Sequence, residues 1–219
     1  MKRMIAVTVL SVLLLIVFST GCTSEKTQTG KEPMAFIEKV EKGEALVKHA
    51  TDKDFAKAEV KASLFEGDFV KTGAGAEVVI RFSTGAVTRV LPDSEFQIKE
   101  RKVASTGQTV VYTRLVKGVA AFYVPKDIEA AKKFEVETER AVASIKGTAF
   151  KLADDGTTTT LSVGEGVVGF TAKSDGKSVD VKELYKVICD AKGLGEAEKF
   201  NALMDPDLAG AENFSKGTR

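Results

Sequence analysis

Residues 76–83, with the sequence AEVVIRFS, decide the fold class of this chain. Val78, Ile80 and Phe82 share one face of an extended segment, because successive side chains of a β-strand point to opposite sides. One face of such a segment packs inward while the other meets water. The same period of two recurs at four further places: residues 95–99, 133–137, 150–152 and 161–163.

Turn signals separate these alternating runs along the chain. Clusters rich in glycine and aspartate occur at residues 66–68, 72–75, 83–85 and 154–156. Glycine adopts positive φ at little steric cost, so such clusters reverse the direction of the chain. Ten to thirteen short strands are expected at this spacing, and residues 34–178 are therefore predicted to form an all-β domain.

A weak internal repeat refines this fold class. An apolar residue three places before a glycine, with a charged residue directly before that glycine, recurs at Gly43, Gly67, Gly118 and Gly166. The spacings are near multiples of one length, which favours coils stacked as a β-solenoid or β-roll. A two-sheet β-sandwich is the alternative architecture.

The pattern changes in the last part of the chain. Helical spacing predicts one short helix around residues 184–191 and a second over residues 195–204, so residues 179–219 form a predicted helical tail. We expect this tail to pack on the β domain or to present an exposed apolar face to a partner. The apolar positions of the first helix are Leu184, Val187, Ile188 and Ala191.

The N-terminus has the layout of a secretory signal. Three residues, Met1-Lys2-Arg3, form a basic start, an apolar run extends to Phe18, and the small residues 19–21 precede Cys22. The apolar run is shorter than the roughly 20 residues that span a bilayer, which favours a cleaved signal over a permanent helix. Residues 1–21 are therefore a predicted signal peptide.

Residues 19–22 resemble a bacterial lipobox, in which the peptidase cuts before a diacylated cysteine. Ser19 stands where Leu is usual, and such relaxed lipoboxes are similar to those of spirochaetal lipoproteins. The resemblance implies palmitate-type chains on Cys22, and two or three chains anchor firmly because each buried methylene contributes about 0.8 kcal/mol. A soluble secreted protein with a free Cys22 is the alternative.

The location follows from this anchor. Residues 22–33 carry no apolar side chain after Cys22 and are predicted to be a lipidated flexible tether. We expect the protein at the cell membrane, facing the periplasm or the cell surface. Lipidation of Cys22 leaves Cys189 without a partner in the chain, so no structural disulfide is expected.

Composition excludes several functions. Hydrophobic residues make up 43% of the chain, charged residues 29%, and the net charge is +1. With tryptophan absent and aromatic residues at 7%, neither a basic patch nor a stacking surface for nucleic acid is expected.

No catalytic or cofactor motif is found. His49 is the sole histidine, which leaves no cluster for zinc or for a nucleophilic triad. Asp154-Asp155 and the pair Asp205 and Asp207 are calcium candidates at most, and are interpreted first as turn residues. We therefore predict a protein that is not an enzyme and has no metal or cofactor.

A family resemblance covers about residues 40–170 and is carried by residues 67–73, 76–85, 115–122, 134–138 and 141–150, with 161–163 and 166–168 closing the pattern. Together they resemble the FecR-type extracytoplasmic β domain, and Gly147-Thr148-Ala149-Phe150 is the most specific part. The chain departs from the family pattern at Thr84, Glu139 and Lys146, where Asp, Pro and Arg are usual. The chain is thus identified as a lipoprotein that contains a FecR-like domain.

The resemblance implies a role in the cell envelope. The FecR regulator is an inner-membrane signal transducer whose N-terminal cytoplasmic segment handles a sigma factor. Here Met1-Lys2-Arg3 alone precede the apolar run, so no direct contact with a sigma factor is expected. The leading hypothesis is a non-catalytic binding or scaffold module for an envelope protein or glycan. The alternative is a periplasmic sensor that relays to a separate membrane protein.

Overall fold

The structure is a computed structural model that describes residues 31–103, 105, 107–126, 132–145 and 147–208. The predicted signal peptide, the predicted lipidation site Cys22 and residues 23–30 of the predicted tether lie outside the described residues, as do residues 209–219. Within the described part of the chain, no helix is long and apolar enough to cross a membrane.

The mainly β fold class predicted from the alternation is confirmed. The described residues form eighteen strands and a single 3-10 turn at Ala202–Met204. The strands outnumber the predicted ten to thirteen, partly because four of them contain two residues each. They are β1 (Ala35–Glu41), β2 (Ala45–Lys48), β3 (Ala56–Lys57), β4 (Ser63–Leu64), β5 (Phe69–Thr72), β6 (Glu77–Phe82), β7 (Val87–Val90), β8 (Glu95–Val103), β9 (Thr109–Tyr123), β10 (Lys132–Glu137), β11 (Ala141–Ile145), β12 (Ala149–Asp154), β13 (Thr159–Glu165), β14 (Val167–Ala172), β15 (Ser178–Lys182), β16 (Tyr185–Asp190), β17 (Gly193–Leu194) and β18 (Glu198–Lys199).

The strands pair into two sheets that share β9. Sheet A has the order β4-β1-β6-β7-β9-β12-β13-β16, with β17 and β18 beyond β16, and its pairs are antiparallel. Sheet B has the order β3-β2-β5-β8-β9-β10-β11-β14-β15, and its β9–β10 pair is parallel. Among the described strands the outermost ones do not pair with each other, so the sheet does not close.

Strand β9 passes from one sheet to the other at Gly118. Residues 109–117 pair with β8 in sheet B, whereas residues 118–123 pair with β12 in sheet A. Gly118 has φ +88°, and a Cβ on it would lie 2.3 Å from the Ser94 Oγ. The Ser94 Oγ in turn accepts a hydrogen bond from the Val119 amide at 2.8 Å. Only glycine fits this crossing, because any side chain would collide with Ser94.

The inner faces of the two sheets bury a common hydrophobic core. Four phenylalanines of this core are at most 2% exposed: Phe82, Phe96, Phe122 and Phe150. Phe82 in sheet A meets Phe134 in sheet B edge to face, with ring centroids 5.0 Å apart. Aromatic contacts of this kind contribute about 0.5–1.5 kcal/mol beyond area burial, so they stabilise the core to which both sheets contribute.

The helical prediction for the tail is wrong over its described part. Residues 185–190 form strand β16, which pairs with β13 at the end of sheet A. Val187 and Cys189 are buried, whereas Ile188 between them is 40% exposed. The segment thus satisfies a period of two as well as the helical spacing, and the open edge of sheet A decides in favour of the strand.

The second predicted helix is also wrong. Residues 195–204 contain β18 and the 3-10 turn in its place. Met204, expected on the apolar stripe of that helix, is 79% exposed. The turn is held by its neighbours instead, since Lys151 on β12 pairs with the carboxylates of Asp205 and Asp207.

Candidate functional site

A small cleft lies at one end of sheet A, where β9 and β13 end on either side of the first residue of β12. Tyr123 at the end of β9 and Glu165 at the end of β13 both lie opposite Ala149, the first residue of β12. Two short segments adjoin this row: residues 124–126 after β9 and Gly147-Thr148 before β12. Sheet register therefore brings together three segments that are distant in sequence.

Close backbone approach shapes the cleft. Gly147 has φ +66°, and a Cβ on it would lie 3.0 Å from the Cα of Lys126. A Cβ on Gly166 would lie 2.7 Å from the Thr148 Cγ2. Side chains at these glycines would push the segments apart, so the sequence requires glycine for the cleft to form.

The Thr148 hydroxyl is the unusual polar group of the cleft. Thr148 is 2% exposed, and its carbonyl oxygen accepts a hydrogen bond from the Val124 amide at 2.9 Å. Its side-chain Oγ1, by contrast, has no hydrogen-bond partner among the described residues. A buried hydroxyl left unpaired costs about 1–3 kcal/mol.

Opposite charges stand at the rim of the cleft. The Lys126 Nζ lies 2.6 Å from the Glu165 Oε1, and the two side chains are 71% and 41% exposed. Glu165 raises the pKa of Lys126, first through the hydrogen bond and then through its charge. The rim is therefore neutral overall but presents one cation and one anion side by side.

The cleft is half open to solvent and has a volume of about 200 Å³. The described residues that line it are Tyr123, Val124, Lys126, Gly147, Thr148 and Glu165. These groups can donate and accept hydrogen bonds and neutralise charge, which makes the cleft suited to binding a small polar molecule.

His49 lies outside this cleft, at the end of β2. Its Nδ1 is 2.7 Å from the Asp68 Oδ2. Asp68 is fully buried and also accepts hydrogen bonds from the amides of Ala50 at 2.9 Å and Phe65 at 2.8 Å. The pair holds two loops together, which is a structural arrangement.

The aspartates considered for calcium have internal partners. The Asp155 carboxylate accepts hydrogen bonds from the hydroxyl and amide of Thr157 and from the amide of Thr158, which hold its pKa far below the usual range. Asp154 accepts from the Thr159 hydroxyl at 2.6 Å. Over the described ranges, no group of three or more His, Cys, Asp or Glu side chains is arranged to hold a metal ion.

Cys189 is a buried free thiol on β16. Burial raises its pKa, so the thiol stays protonated at neutral pH. This protonated, enclosed state makes it a poor nucleophile.

The cleft residues were not predictable as a site from the sequence. Lys126 and Glu165 are ordinary surface residue types, and Thr148 is distinguished solely by its place after Gly147 in the most specific segment of the family resemblance. That segment was the available signal, and it pointed to the correct end of the sheet without identifying the two charges.

Comparison with known proteins gives one family match. The profile of the FecR family, described as FecR protein, matches residues 68–169, a range that contains all the lining residues of the cleft. No curated protein matches the chain.

Two crystal structures of a proposed anti-sigma factor from Parabacteroides distasonis, at 1.65 and 2.50 Å, are similar to this chain with TM-scores of 0.49 and 17% sequence identity. The first likeness covers 61% of this chain and 59% of that structure, and the second covers 63% and 64%. The matched region is thus less than two thirds of either structure's length. The FecR profile thus matches residues 68–169, slightly less than half of the chain.

Proposed function

We propose that this protein is an extracytoplasmic signalling component whose FecR domain senses a bound molecule and relays that state to a separate membrane protein. The observation that carries the proposal is the FecR domain itself, since regulators of this type are signal transducers. The same observation favours signalling over the scaffold function that the sequence alone places first.

The cleft supports a sensing role. It offers hydrogen-bonding and charged groups at one end of β9, and β9 pairs with strands of both sheets. A molecule bound beside Tyr123 would therefore contact the strand that links the two halves of the domain.

A membrane location completes the proposal. We place the domain outside the cytosol, on a lipidated Cys22 that follows a cleaved signal peptide, as in spirochaetal lipoproteins with relaxed lipoboxes. The relay partner is then an envelope protein with its own membrane-spanning segment. Mass spectrometry of the natural protein should find an N-terminal acylated Cys22, and an intact Met1 would contradict this location.

Transcript profiling tests the signalling role. A strain that lacks the gene should change the expression of a defined set of genes, and the wild-type gene should restore it. Cys22→Ser should fail to restore it, because the domain is no longer held near its partner. Cys189→Ser is the matched control and should restore expression fully. An unchanged profile, with altered envelope integrity, would support the scaffold function instead.

A further inference from the structure

We propose that one face of sheet B rests on the anionic phospholipid surface of the membrane that carries the protein. This cationic face lies toward the β3 edge of the sheet and presents four lysines: Lys48, Lys57, Lys71 and Lys117. The inference rests on the proposed membrane location, to which it adds the orientation of the domain. Three features lead to it: the rows that gather the lysines, the lack of compensating carboxylates and the apolar side chains between them.

Sheet register gathers the lysines into a row. Leu46 on β2 lies directly opposite Lys57 on β3 and Lys71 on β5. Glu95 on β8 continues the row, opposite Lys71 on one side and Lys117 on the other. Residues directly opposite each other point to the same face of a sheet, and neighbouring strands lie about 4.8 Å apart. The row therefore places three lysines along about 19 Å of one surface.

A second row adds Lys48 and two aromatic rings. Lys48 on β2 lies opposite Phe69 on β5. Its Nζ is 4.9 Å from the centroid of the Phe69 ring and 5.3 Å from that of Phe55. The Lys71 Nζ is 5.8 Å from the Phe55 centroid. An aromatic ring attracts an ammonium group through its quadrupole and carries no net charge, so both lysines are positioned without being neutralised.

Internal ion pairs do not compensate the charge of this face. Farther along sheet B, Lys99 pairs with Glu137, and Lys133 pairs with Glu135. The four lysines of the cationic face, by contrast, form no ion pair with any residue that the structure describes. Glu95 is the one acidic member of the two rows. The face is therefore strongly positive, although the net charge of the whole chain is only +1.

Apolar side chains among the lysines suit a lipid surface. Leu46, Phe55 and Phe69 are partly buried and lie beside the lysine side chains. At a bilayer surface, such groups enter the headgroup region while lysines extend their ammonium groups to the phosphates. An acidic protein would need carboxylates at matching positions, whereas anionic lipids offer negative charge along the whole row. The observations therefore favour a membrane as the occupant.

A tether makes a weak surface contact sufficient. The ten residues from Cys22 to Glu32 reach at most about 35 Å when fully extended, which keeps an anchored domain close to the bilayer. Tethering raises the effective concentration of the face at the lipid surface. Contacts too weak to hold a free protein can therefore orient an anchored one. With sheet B on the lipid, the outer face of sheet A points away from it and stays open to a partner.

Co-sedimentation with vesicles tests the proposal. The sample is the mature chain, residues 22–219 with Cys22→Ser, which contains every residue that the structure describes and carries no lipid. Without Lys2 and Arg3 its net charge is −1, so attraction to an anionic surface requires a local patch.

We expect vesicles that contain phosphatidylglycerol to bind this chain at least about tenfold more tightly than vesicles of phosphatidylcholine alone. High salt should release it, because screening weakens the attraction. Equal binding to both kinds of vesicle, or no binding to the anionic ones, would overturn the proposal.

Lysine variants locate the contact. The test variant combines three substitutions in the face: Lys48→Gln, Lys57→Gln and Lys71→Gln. The matched control combines three in sheet A and the turn after β16: Lys39→Gln, Lys186→Gln and Lys192→Gln. A lysine near an anionic bilayer contributes about fivefold, so the test variant should bind at least about tenfold more weakly and the control less than about threefold. Circular dichroism verifies that both are folded. Equal losses in the two variants would refute the site.

An acidic protein is the alternative occupant, and poly-L-glutamate is its probe. Binding of this polymer without binding of anionic vesicles would overturn the membrane contact and assign the face to an acidic protein. The location and the orientation fail separately. If anionic vesicles do not bind but the natural protein carries an acylated Cys22, the orientation is wrong and the location stands. If the vesicles bind but the natural protein retains Met1, the face is correct and the anchor is wrong.

Discussion

Two turns of this protein share a local design and differ in one respect. Gly67-Asp68 and Gly147-Thr148 each place a glycine of positive φ before a buried polar side chain, with φ values of +89° and +66°. The Asp68 carboxylate has three hydrogen-bond partners: His49, Ala50 and Phe65. The Thr148 hydroxyl has none among the residues described.

The difference separates a satisfied buried polar group from an unsatisfied one. A buried polar group with all its partners inside the protein fixes the loops that supply those partners. A buried polar group without an internal partner lowers stability. The same turn type therefore stabilises the domain at Asp68 and carries an energetic cost at Thr148.

The largest effect is expected from Asp68→Ala. Removal of the carboxylate leaves the amides of Ala50 and Phe65 unpaired in a buried place, so the free energy of unfolding should fall by about 3 kcal/mol. Urea denaturation at pH 7 measures this loss of stability. His49→Gln is the control and should cost about 1 kcal/mol, because the His49 side chain is 36% exposed and water can replace it. A larger loss for His49→Gln would contradict the role given to Asp68.

Gly147→Ala should destabilise the domain by about 2 kcal/mol, part from the positive φ and part from the close approach to Lys126. Thermal or urea unfolding measures the loss. Gly156→Ala is matched to it, since Gly156 has φ +85° but no atom within 4 Å of an added Cβ. We expect about 1 kcal/mol for that variant. Equal losses would mean that the contact with Lys126 is unimportant.

Thr148→Val should leave the free energy of unfolding unchanged or raise it by up to about 1 kcal/mol, because it removes an unpaired hydroxyl. Thr72→Val is the matched control. Thr72 is also 2% exposed, but its Oγ1 donates to the Leu91 carbonyl at 2.6 Å and accepts from the Ser94 amide at 3.0 Å. Thr72→Val should lower the free energy of unfolding by about 1–2 kcal/mol. A similar loss at both threonines would remove the distinction between the two turns.

Glu137 extends the comparison to a carboxylate that is only partly buried. Burial raises its pKa, but the hydrogen bonds and charges of Lys99 and Lys173 outweigh burial and hold the pKa below its ordinary value of 4.5. A lowered folded-state pKa adds stability above about pH 4.5 that is lost as the pH falls through the folded value.

Glu137→Gln should therefore flatten the loss of stability between about pH 5 and pH 3, while costing less than about 1 kcal/mol at pH 7. Urea denaturation across this pH range measures the free energy of unfolding of the wild type and the variant. Lys99→Gln should flatten the profile partially, because Lys173 remains. An unchanged acid profile in Glu137→Gln would contradict the assignment.

The middle of the fold was predictable because its strands bury one face. Alternation alone placed Val78, Ile80 and Phe82 in the core, where they are at most 2% exposed. The glycines of the weak repeat also share a property, since Gly43, Gly67, Gly118 and Gly166 all have positive φ. The repeat thus marks turn geometry, and the choice between a β-solenoid and a sandwich stays a prediction.

The tail and the cleft were not predictable for different reasons. Residues 184–191 satisfy both periods, and only the free edge of β13 selects the strand. The cleft depends on register between β9, β12 and β13, and β10 and β11 lie between β9 and β12 in the sequence. No local pattern records that Lys126 and Glu165 will meet.

The crossing of β9 at Gly118 has a consequence for how the domain comes apart. Residues 109–123 hydrogen-bond with β8 and β10 on one side of the crossing and with β7 and β12 on the other. Unfolding of the whole strand therefore removes hydrogen-bond partners from both sheets at once. Melting is expected to be one cooperative transition, in which the buried β9 amides on both sides of Gly118 share one free energy of opening.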